Sequence, residues 1–163
     1  MTKHSCQEVR MSWMRFTALA ALSVGICVAQ APTFSGLWRL NTARSHWGEK
    51  QVPASVTVEI THQGESLKYS GAVMDALGDE RQFEFAGACD GKEYPTVRET
   101  GPGKVTVQRL TPFVLLVTFK SDDGSITETS RMALSRDGRT LISQIRVSRP
   151  GRDMRWTEVY EKQ

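Results

Sequence analysis

Cysteine and histidine are scarce in this chain, with three of each among 163 residues. Two of the cysteines lie within the first 29 residues, so a chain without that segment keeps only Cys89 and forms no intramolecular disulfide. No spacing of cysteines and histidines resembles a structural zinc site. We therefore expect neither a metal nor a cofactor, and we interpret Cys89 as a small buried apolar residue.

A large excess of one charge is also missing. The formal net charge is +3, and without residues 1–29 the chain holds 18 basic and 17 acidic residues, which leaves about +1. A net charge this close to zero does not indicate a basic surface that would bind a polyanion or an anionic membrane. Seven arginines crowd positions 131–155, but most of them fall at predicted turns and suit a solvated face. We therefore expect no nucleic-acid partner.

The sequence also lacks catalytic motifs. It contains no Gly-x-Ser-x-Gly elbow, no glycine-rich phosphate loop and no pair of histidines near a carboxylate. A base at His62 with Glu59 or Glu65 is conceivable, but we expect a surface histidine at the end of a strand. We therefore name no catalytic residue and favour a binding protein over an enzyme. An enzyme that acts on a ligand held in the fold stays open as a third interpretation.

Residues 16–28 form an apolar run of 13 residues without a charged side chain. This length lies within the roughly 7 to 15 residues of a signal-peptide core and below the about 20 residues needed to span a bilayer. Arg15 supplies a positive charge before the run, and small residues follow it. We therefore expect a signal peptide over residues 1–29, cleaved after Ala29. The alternatives are an uncleaved anchor and a lipoprotein with its lipid on Cys27, although Ile26 stands where a lipid-attachment site has a small residue.

The polar stretch before this run is unlike a compact positive leader, so Met11 or Met14 is a candidate for the true start of translation. Residues 30–163, about 134 in number, have the size of one domain that buries roughly two-thirds of its unfolded surface. We expect this domain to be exported, to the periplasm or out of the cell. We also expect a monomer with no transmembrane segment after processing.

The rest of the chain has the rhythm of an all-β protein. Turn signals with glycine recur about every 10 to 14 residues, and the segments between them alternate apolar and polar side chains, as at Val56, Val58 and Ile60. The pattern leaves little room for helix. It predicts a small antiparallel up-and-down β-barrel of roughly 8 to 10 strands, in which the first strand pairs with the last. A two-sheet β-sandwich is the alternative, because alternation alone does not distinguish the two.

Two motifs resemble those of ligand-holding barrels. Gly36-Leu37-Trp38 resembles the Gly-x-Trp signature of the lipocalins, and residues 157–162 resemble the last strand of the intracellular fatty-acid-binding proteins. Both families belong to the calycin group. The lipocalin likeness implies that Trp38 closes one end of the barrel and that an arginine of a late strand, Arg155 or Arg146, stacks over its indole. Gly36, Trp38 and Arg155 would then form a structural signature.

A broader likeness covers nearly the whole chain after residue 29. Residues 34–41, 90–95 and 160–162 resemble the start, middle and end of a group of short exported bacterial proteins. These segments read Phe-Ser-Gly-x-Trp-x-Leu-Asn, Asp-Gly-Lys-x-Tyr-Pro and Tyr-Glu-Lys. That group is largely uncharacterised, so the resemblance implies a lipocalin-like barrel and export more than it implies an activity.

The likeness to fatty-acid-binding proteins has two departures. Those proteins carry two helices between the first and second strands as a lid, whereas residues 41–53 leave room for only a turn or a short helical stub. Their last strand also carries an arginine two residues before a tyrosine, and the two side chains grip the ligand carboxylate. This chain has Glu158 before Tyr160. The usual carboxylate clamp is therefore not transferable.

The resemblance implies a small apolar or amphipathic ligand in the barrel. The candidate ligand contacts are Tyr69, Phe83, Phe85, Arg131 and Tyr160. Arg131 shares a strand face with Thr127 and Thr129, and it would meet an anionic head group if that face lines a cavity. We interpret Trp47, in the first loop, as a plug at a barrel mouth, and Trp156 lies in the last strand without an assigned role. Bulky side chains could instead fill the interior, and the alternative is a filled barrel that acts as an envelope or partner-binding module.

Overall fold

The computed structural model describes residues 33–98 and 100–163, and the predicted signal peptide lies outside them. Ten strands make up most of this part of the chain. They are β1 (Gly36–Leu40), β2 (Ser55–Gln63), β3 (Ser66–Met74), β4 (Glu80–Ala88), β5 (Asp90–Arg98), β6 (Gly101–Thr111), β7 (Val114–Ser121), β8 (Thr127–Leu134), β9 (Thr140–Arg149) and β10 (Arg152–Lys162). A 3-10 helix, Thr42–Arg44, follows β1. Within the two described ranges, no helix combines the length and the apolar character that crossing a membrane requires.

The strands pair antiparallel in the order β4-β3-β2-β1-β10-β9-β8-β7-β6-β5. In the ladder between the first and last strands, Trp38 lies opposite Lys162 and Leu40 lies opposite Tyr160. The described residues form no ladder between β4 and β5, which leaves one open seam. The described part of the chain is therefore a nearly closed up-and-down barrel of ten strands with almost no helix. This confirms the predicted barrel and its closure of β1 against β10, and it excludes the sandwich.

The interior is packed on one side and hollow on the other. Strand side chains alternate between the two faces of a sheet, so every second residue of β2 and β9 is buried. Under β6 and β7 the buried side chains meet those of β3 and of the chain before β1. The fully buried members are Phe34, Leu67, Val105, Val107, Leu115 and Phe119. The opposite side, under β8–β10 and β2–β4, leaves a space that is described below.

The first loop, residues 41–54, lies along β10. His46 and Thr157 exchange two backbone hydrogen bonds, each of 2.8 Å. The Ser45 hydroxyl accepts a hydrogen bond from the backbone N–H of Val159 at 3.0 Å. Only three residues of this loop are helical, which confirms that the barrel lacks the two-helix lid between its first two strands. The loop instead brings residues 50–53 to the wall of the hollow side.

Trp38 is fully buried near the end of the barrel where β1 meets β10. Its indole N–H donates to the backbone carbonyl of Phe34 at 2.9 Å. Lys162 lies over the ring, with its Nζ 5.4 Å from the ring centroid. Lys162 therefore occupies the position predicted for Arg155 or Arg146. Both arginines are exposed, because strand alternation turns them to the outer face of the barrel.

Gly36 makes room for this lysine. A Cβ at position 36 would lie 2.4 Å from the Cε of Lys162, and the φ of Gly36 is 142°, which L side chains rarely adopt. The first residue of the Gly-x-Trp motif thus allows a long side chain to cross β1. The third residue, Trp38, supplies the ring beneath it.

Candidate ligand site

A cavity of about 680 Å³ occupies the hollow side of the barrel. Side chains of β1–β5 and β8–β10 and residues of the first loop line it. Aliphatic side chains form much of the wall, among them Val56, Val58, Ile60, Leu141, Ile145 and Val147. Cavities of about 300 to 1,000 Å³ with mainly apolar walls and a few polar groups are typical of small-molecule sites. Two clusters of hydrogen-bonded polar side chains lie in this wall.

The first cluster surrounds Glu158 on β10, whose side chain is only 10 % exposed. The indole N–H of Trp156 donates to Glu158 Oε1 at 2.8 Å, and the Tyr160 hydroxyl donates to Glu158 Oε2 at 2.7 Å. These three residues are two positions apart along one strand, so alternation turns all of them inward together. The carboxylate is therefore held on both sides by residues of its own strand.

Lys50 completes the first cluster from the first loop. Its Nζ lies 3.2 Å from Glu158 Oε1 and 4.3 Å from the centroid of the Trp156 ring. The centroid of Trp47 is 6.0 Å from the same Nζ. An ammonium between a carboxylate and an indole face gains a charge pair and a cation–π contact at once. We call Lys50, Trp156, Glu158 and Tyr160 the β10 cluster.

A tight turn places Lys50 in the β10 cluster. The backbone N–H of Lys50 donates to the carbonyl of Trp47 at 2.9 Å. Gly48, inside this turn, has a φ of 57°, and a Cβ there would lie 2.7 Å from the backbone oxygen of Arg155. Glycine at this position therefore lets the loop press against β10. The side chain of Lys50 remains 36 % exposed, so it stays at the edge of the cavity.

The phenol of Tyr160 is a permanent donor in this environment. Burial raises the pKa of Tyr160 well above its ordinary value of 10.0, and the negative charge of Glu158 raises it further. A phenolate beside a buried carboxylate would place two negative charges together in a region of low dielectric. The hydroxyl thus stays protonated at neutral pH and keeps its hydrogen bond to Glu158.

The second cluster joins β5 to β8. Arg98 donates to Glu128 at 2.9 Å, and its guanidinium lies 4.4 Å from the centroid of Phe119. Tyr69 lies beside this pair. Burial raises the pKa of its phenol above the ordinary value of 10.0, and the charge of Arg98 offsets only part of that rise. Apart from these charged groups, Ser130 and Ser143 meet across the wall at 2.6 Å between their hydroxyl oxygens.

The structure brings three of the predicted ligand contacts to the cavity: Tyr69, Phe83 and Tyr160. Phe85 belongs to the packed side, where it is 6 % exposed and stacks on Tyr69 with ring centroids 5.2 Å apart. Arg131 is exposed on the outer face of β8, away from the cavity. The inward residues of that strand are instead Glu128, Ser130 and Met132. The face of β8 that carries Arg131 therefore points outward, and an anion contact at Arg131 would require that face to point into the cavity.

The sequence did not predict the role of Lys50. Glu158 was interpreted only as the absence of the arginine that fatty-acid-binding proteins carry at that position. The sequence also indicated no role for Trp156, whose indole N–H donates to a carboxylate. A signal was present in the spacing, because Trp156, Glu158 and Tyr160 alternate along one strand. Two aromatic donors that flank an acid at this spacing indicate a held carboxylate. No comparable signal identifies Lys50, which reaches the cluster from a loop.

A thiol and an imidazole meet on the packed side, outside the cavity. Cys89 Sγ lies 4.0 Å from His62 Nε2, and Arg109 contacts the same ring nitrogen. Burial lowers the pKa of His62, with a further contribution from Arg109, and burial raises the pKa of Cys89. Both groups are therefore neutral near pH 7, which disfavours a reactive thiolate. His62 is buried rather than at the surface, and it packs edge-on against Phe34.

A second, more open depression of about 900 Å³ runs along the seam between β4 and β5. Its sides include Ser70, Glu84, Pro95 and Asp122. It is a groove between strand edges. Within residues 33–98 and 100–163, no group of three or more histidine, cysteine or acidic side chains is placed to hold a metal ion.

Solved structures of low sequence identity share this fold. The Schistosoma mansoni fatty acid binding protein in complex with arachidonic acid is 15 % identical, with a TM-score of 0.51, over 83 % of this chain and 99 % of that one. As-p18, an extracellular fatty acid binding protein, is 17 % identical, with a TM-score of 0.57, over 80 % and 96 %. Zebrafish ileal bile acid-binding protein complexed with cholic acid is 15 % identical, with a TM-score of 0.52, over 80 % and 98 %. No protein-family model and no curated protein matches the chain. The barrel is thus calycin-like, as the sequence motifs predicted.

Proposed function

We propose that this protein holds a small apolar or amphipathic molecule inside its barrel. The observation that carries the proposal is the cavity of about 680 Å³, whose aliphatic wall surrounds a few convergent polar groups. Structures of the same fold contain arachidonic acid and cholic acid. Both of those ligands are small amphiphiles, and we extend that general class to this chain. The side chains around Phe119 fill only one side of the interior, which favours a ligand carrier over a filled barrel.

Native mass spectrometry of the protein purified from its own host is the first test. We expect a stoichiometric adduct of small mass, which denaturing extraction then releases for identification. A neutral fluorescent apolar probe provides the matching assay in solution. A clean mass without adduct, together with failure to bind the probe, would contradict the proposal and favour the filled barrel that acts through its surface.

A matched pair of variants assigns the binding to the cavity. Ser143→Phe places an aromatic ring inside the space, because Ser143 is buried in the cavity wall. Ile142→Phe places the same ring on the outer face of β9, where Ile142 is 37 % exposed. We expect the first variant to lose probe binding and the second to retain it. Thermal unfolding of both variants checks that each remains folded, and equal binding by two folded variants would exclude the cavity as the site.

We also propose that the protein is exported and works outside the cytoplasm. The support is the apolar run of residues 16–28, the charge of Arg15 before it and the small residues after it. N-terminal sequencing of the protein from the envelope fraction or the medium tests the proposal. We expect the chain to begin at Gln30. Recovery from the cytosol with an uncut leader would contradict export.

A further inference from the structure

We infer, on the basis of the proposed ligand site, that the head group of the bound molecule is a cation. The ligand would be an ammonium carried on an apolar body. In the structure the Lys50 ammonium occupies the position that the ligand's ammonium would take. The carboxylate of Glu158 would pair with the ammonium, and the Trp156 ring would lie against it. The apolar body would extend along the aliphatic wall of the cavity.

The two members of the Lys50–Glu158 pair differ in how firmly they are held. Glu158 is part of a strand that is paired on both sides, and it receives hydrogen bonds from Trp156 and Tyr160. Lys50 comes from a loop, and its side chain is 36 % exposed, against 10 % for Glu158. The anion is therefore fixed in the cavity wall, whereas the cation can swing out into water.

Exchange of one cation for another preserves the pairing of the buried carboxylate. Removing the partner of a buried charge is strongly unfavourable, because the charge left behind is neither solvated nor neutralised. A ligand ammonium that displaces Lys50 leaves Glu158 paired and releases Lys50 to solvent. A ligand carboxylate beside Glu158 would put two anions side by side, and Lys50 would have to pair with both. The geometry thus selects against an acid at this position.

The aromatic side chains of the site favour the same sign of charge. The centroids of Trp156 and Trp47 lie 4.3 Å and 6.0 Å from the Lys50 ammonium. The face of an indole carries negative potential, so it attracts a cation and repels a carboxylate. The space beside the two indoles already holds the ammonium of Lys50, so it is large enough for the ammonium of a ligand.

The remaining charges of the cavity do not reverse this preference. Among the residues that the structure describes, four cationic and four anionic side chains line it: Lys50, Arg81, Arg98 and Arg149, and Asp75, Glu84, Glu128 and Glu158. Arg98 is already engaged with Glu128 and with the ring of Phe119. Arg81 and Arg149 are exposed at the rim. Glu158 is the most buried of these charged groups, so it decides the sign of charge that a ligand meets inside the cavity.

Isothermal titration of the full protein with three amphiphiles that share one tail tests the inference. The probes are decylammonium, decanol and decanoate, each below its micelle concentration. We expect decylammonium to bind at least about tenfold more tightly than decanoate, the factor that a desolvated ammonium–indole contact provides. Glu158→Gln should remove most of this preference. Lys50→Met should tighten decylammonium binding severalfold, because the loop cation no longer competes for the carboxylate.

Arg131→Met is the matched control, because it removes a cation from the outer face of β8, where Arg131 is exposed. It should leave all three affinities unchanged. If decanol and decanoate bind as tightly as decylammonium, the inference is overturned while the proposed carrier function stands. If none of the three binds, both fail. If Glu158→Gln does not fold, weaker decylammonium binding by folded Lys50→Met would still overturn the inference.

Discussion

Two lysine–tryptophan pairs lie toward opposite ends of β10, and they differ in what holds the indole. Trp38 has no exposed surface, and its N–H donates to the backbone carbonyl of Phe34. Trp156 is only partly buried, and its N–H donates to the carboxylate of Glu158. The lysine over Trp38 is the strand residue Lys162, whereas the lysine over Trp156 comes from the first loop.

The contrast shows how one kind of contact serves two purposes. An indole that is bonded to backbone and has no exposed surface contributes mainly to the packing of the fold, even where it borders the cavity. An indole bonded to a side-chain carboxylate at a cavity wall, with a loop cation above it, presents a surface that a ligand can share. The difference lies in the neighbours of each tryptophan rather than in the lysine–tryptophan contact itself.

The largest difference should appear when each indole is removed. We expect Trp38→Ala to lower the free energy of unfolding by about 3 to 5 kcal/mol, as for large aromatic residues in a core. Trp156→Ala should cost about 2 kcal/mol or less, since its ring is partly exposed and one hydrogen bond is lost. Urea denaturation measures both values. Equal losses would remove the distinction between a structural and an accessible tryptophan.

The alkaline stability of the protein tests the environment on the Trp156 side. Because the pKa of Tyr160 is raised in the folded state, the unfolded chain loses this proton first as the pH rises. The stabilisation is therefore complete below about pH 10 and is lost as the pH rises toward and through the native pKa. Tyr160→Phe should be less stable than the wild type at neutral pH, and the gap should narrow above pH 10. A gap that stays constant from pH 8 to pH 11 would contradict the assignment.

The smallest expected difference concerns the two lysines. Lys162→Met should lower the free energy of unfolding by about 0.5 kcal/mol, the value of one cation–π contact near the surface. Lys50→Met should cost about 1 kcal/mol: Glu158 loses a charged partner, but the pair lies at the partly exposed edge of the cavity and Glu158 keeps its hydrogen bonds from Trp156 and Tyr160. Added salt should shrink the loss for Lys50→Met more than the loss for Lys162→Met, since only the former breaks an ion pair. Chemical denaturation at two ionic strengths gives both values.

The barrel could be predicted from the sequence because its strands alternate with a period of two between regular turns. The same reasoning predicted the short first loop. It did not predict the open seam, because turn signals show which strands are adjacent in sequence and not whether their edges meet. Only Cys89 separates β4 from β5, a connection that alone would suggest a paired hairpin.

The site was harder to predict than the fold. The strand 127–134 mixes polar and apolar residues on both faces, so its pattern does not determine whether Arg131 or Glu128 turns inward. The cation over Trp38 depends on the register of β1 against β10, which places Lys162 opposite Trp38. The approach of Lys50 to Glu158 joins residues 108 positions apart through a loop. Local patterns carry no information on either contact.

The seam between β4 and β5 has a mechanical consequence. A barrel with ladders all round has a girth set by its strand number and tilt, because widening it anywhere breaks backbone hydrogen bonds. Within the described chain, no such ladder fixes the distance between these two strands. The wall can therefore widen along that line at little cost in backbone hydrogen bonding. Side-chain contacts, such as the one between the Phe85 and Tyr94 rings with centroids 6.0 Å apart, take the place of a backbone ladder between these two strands.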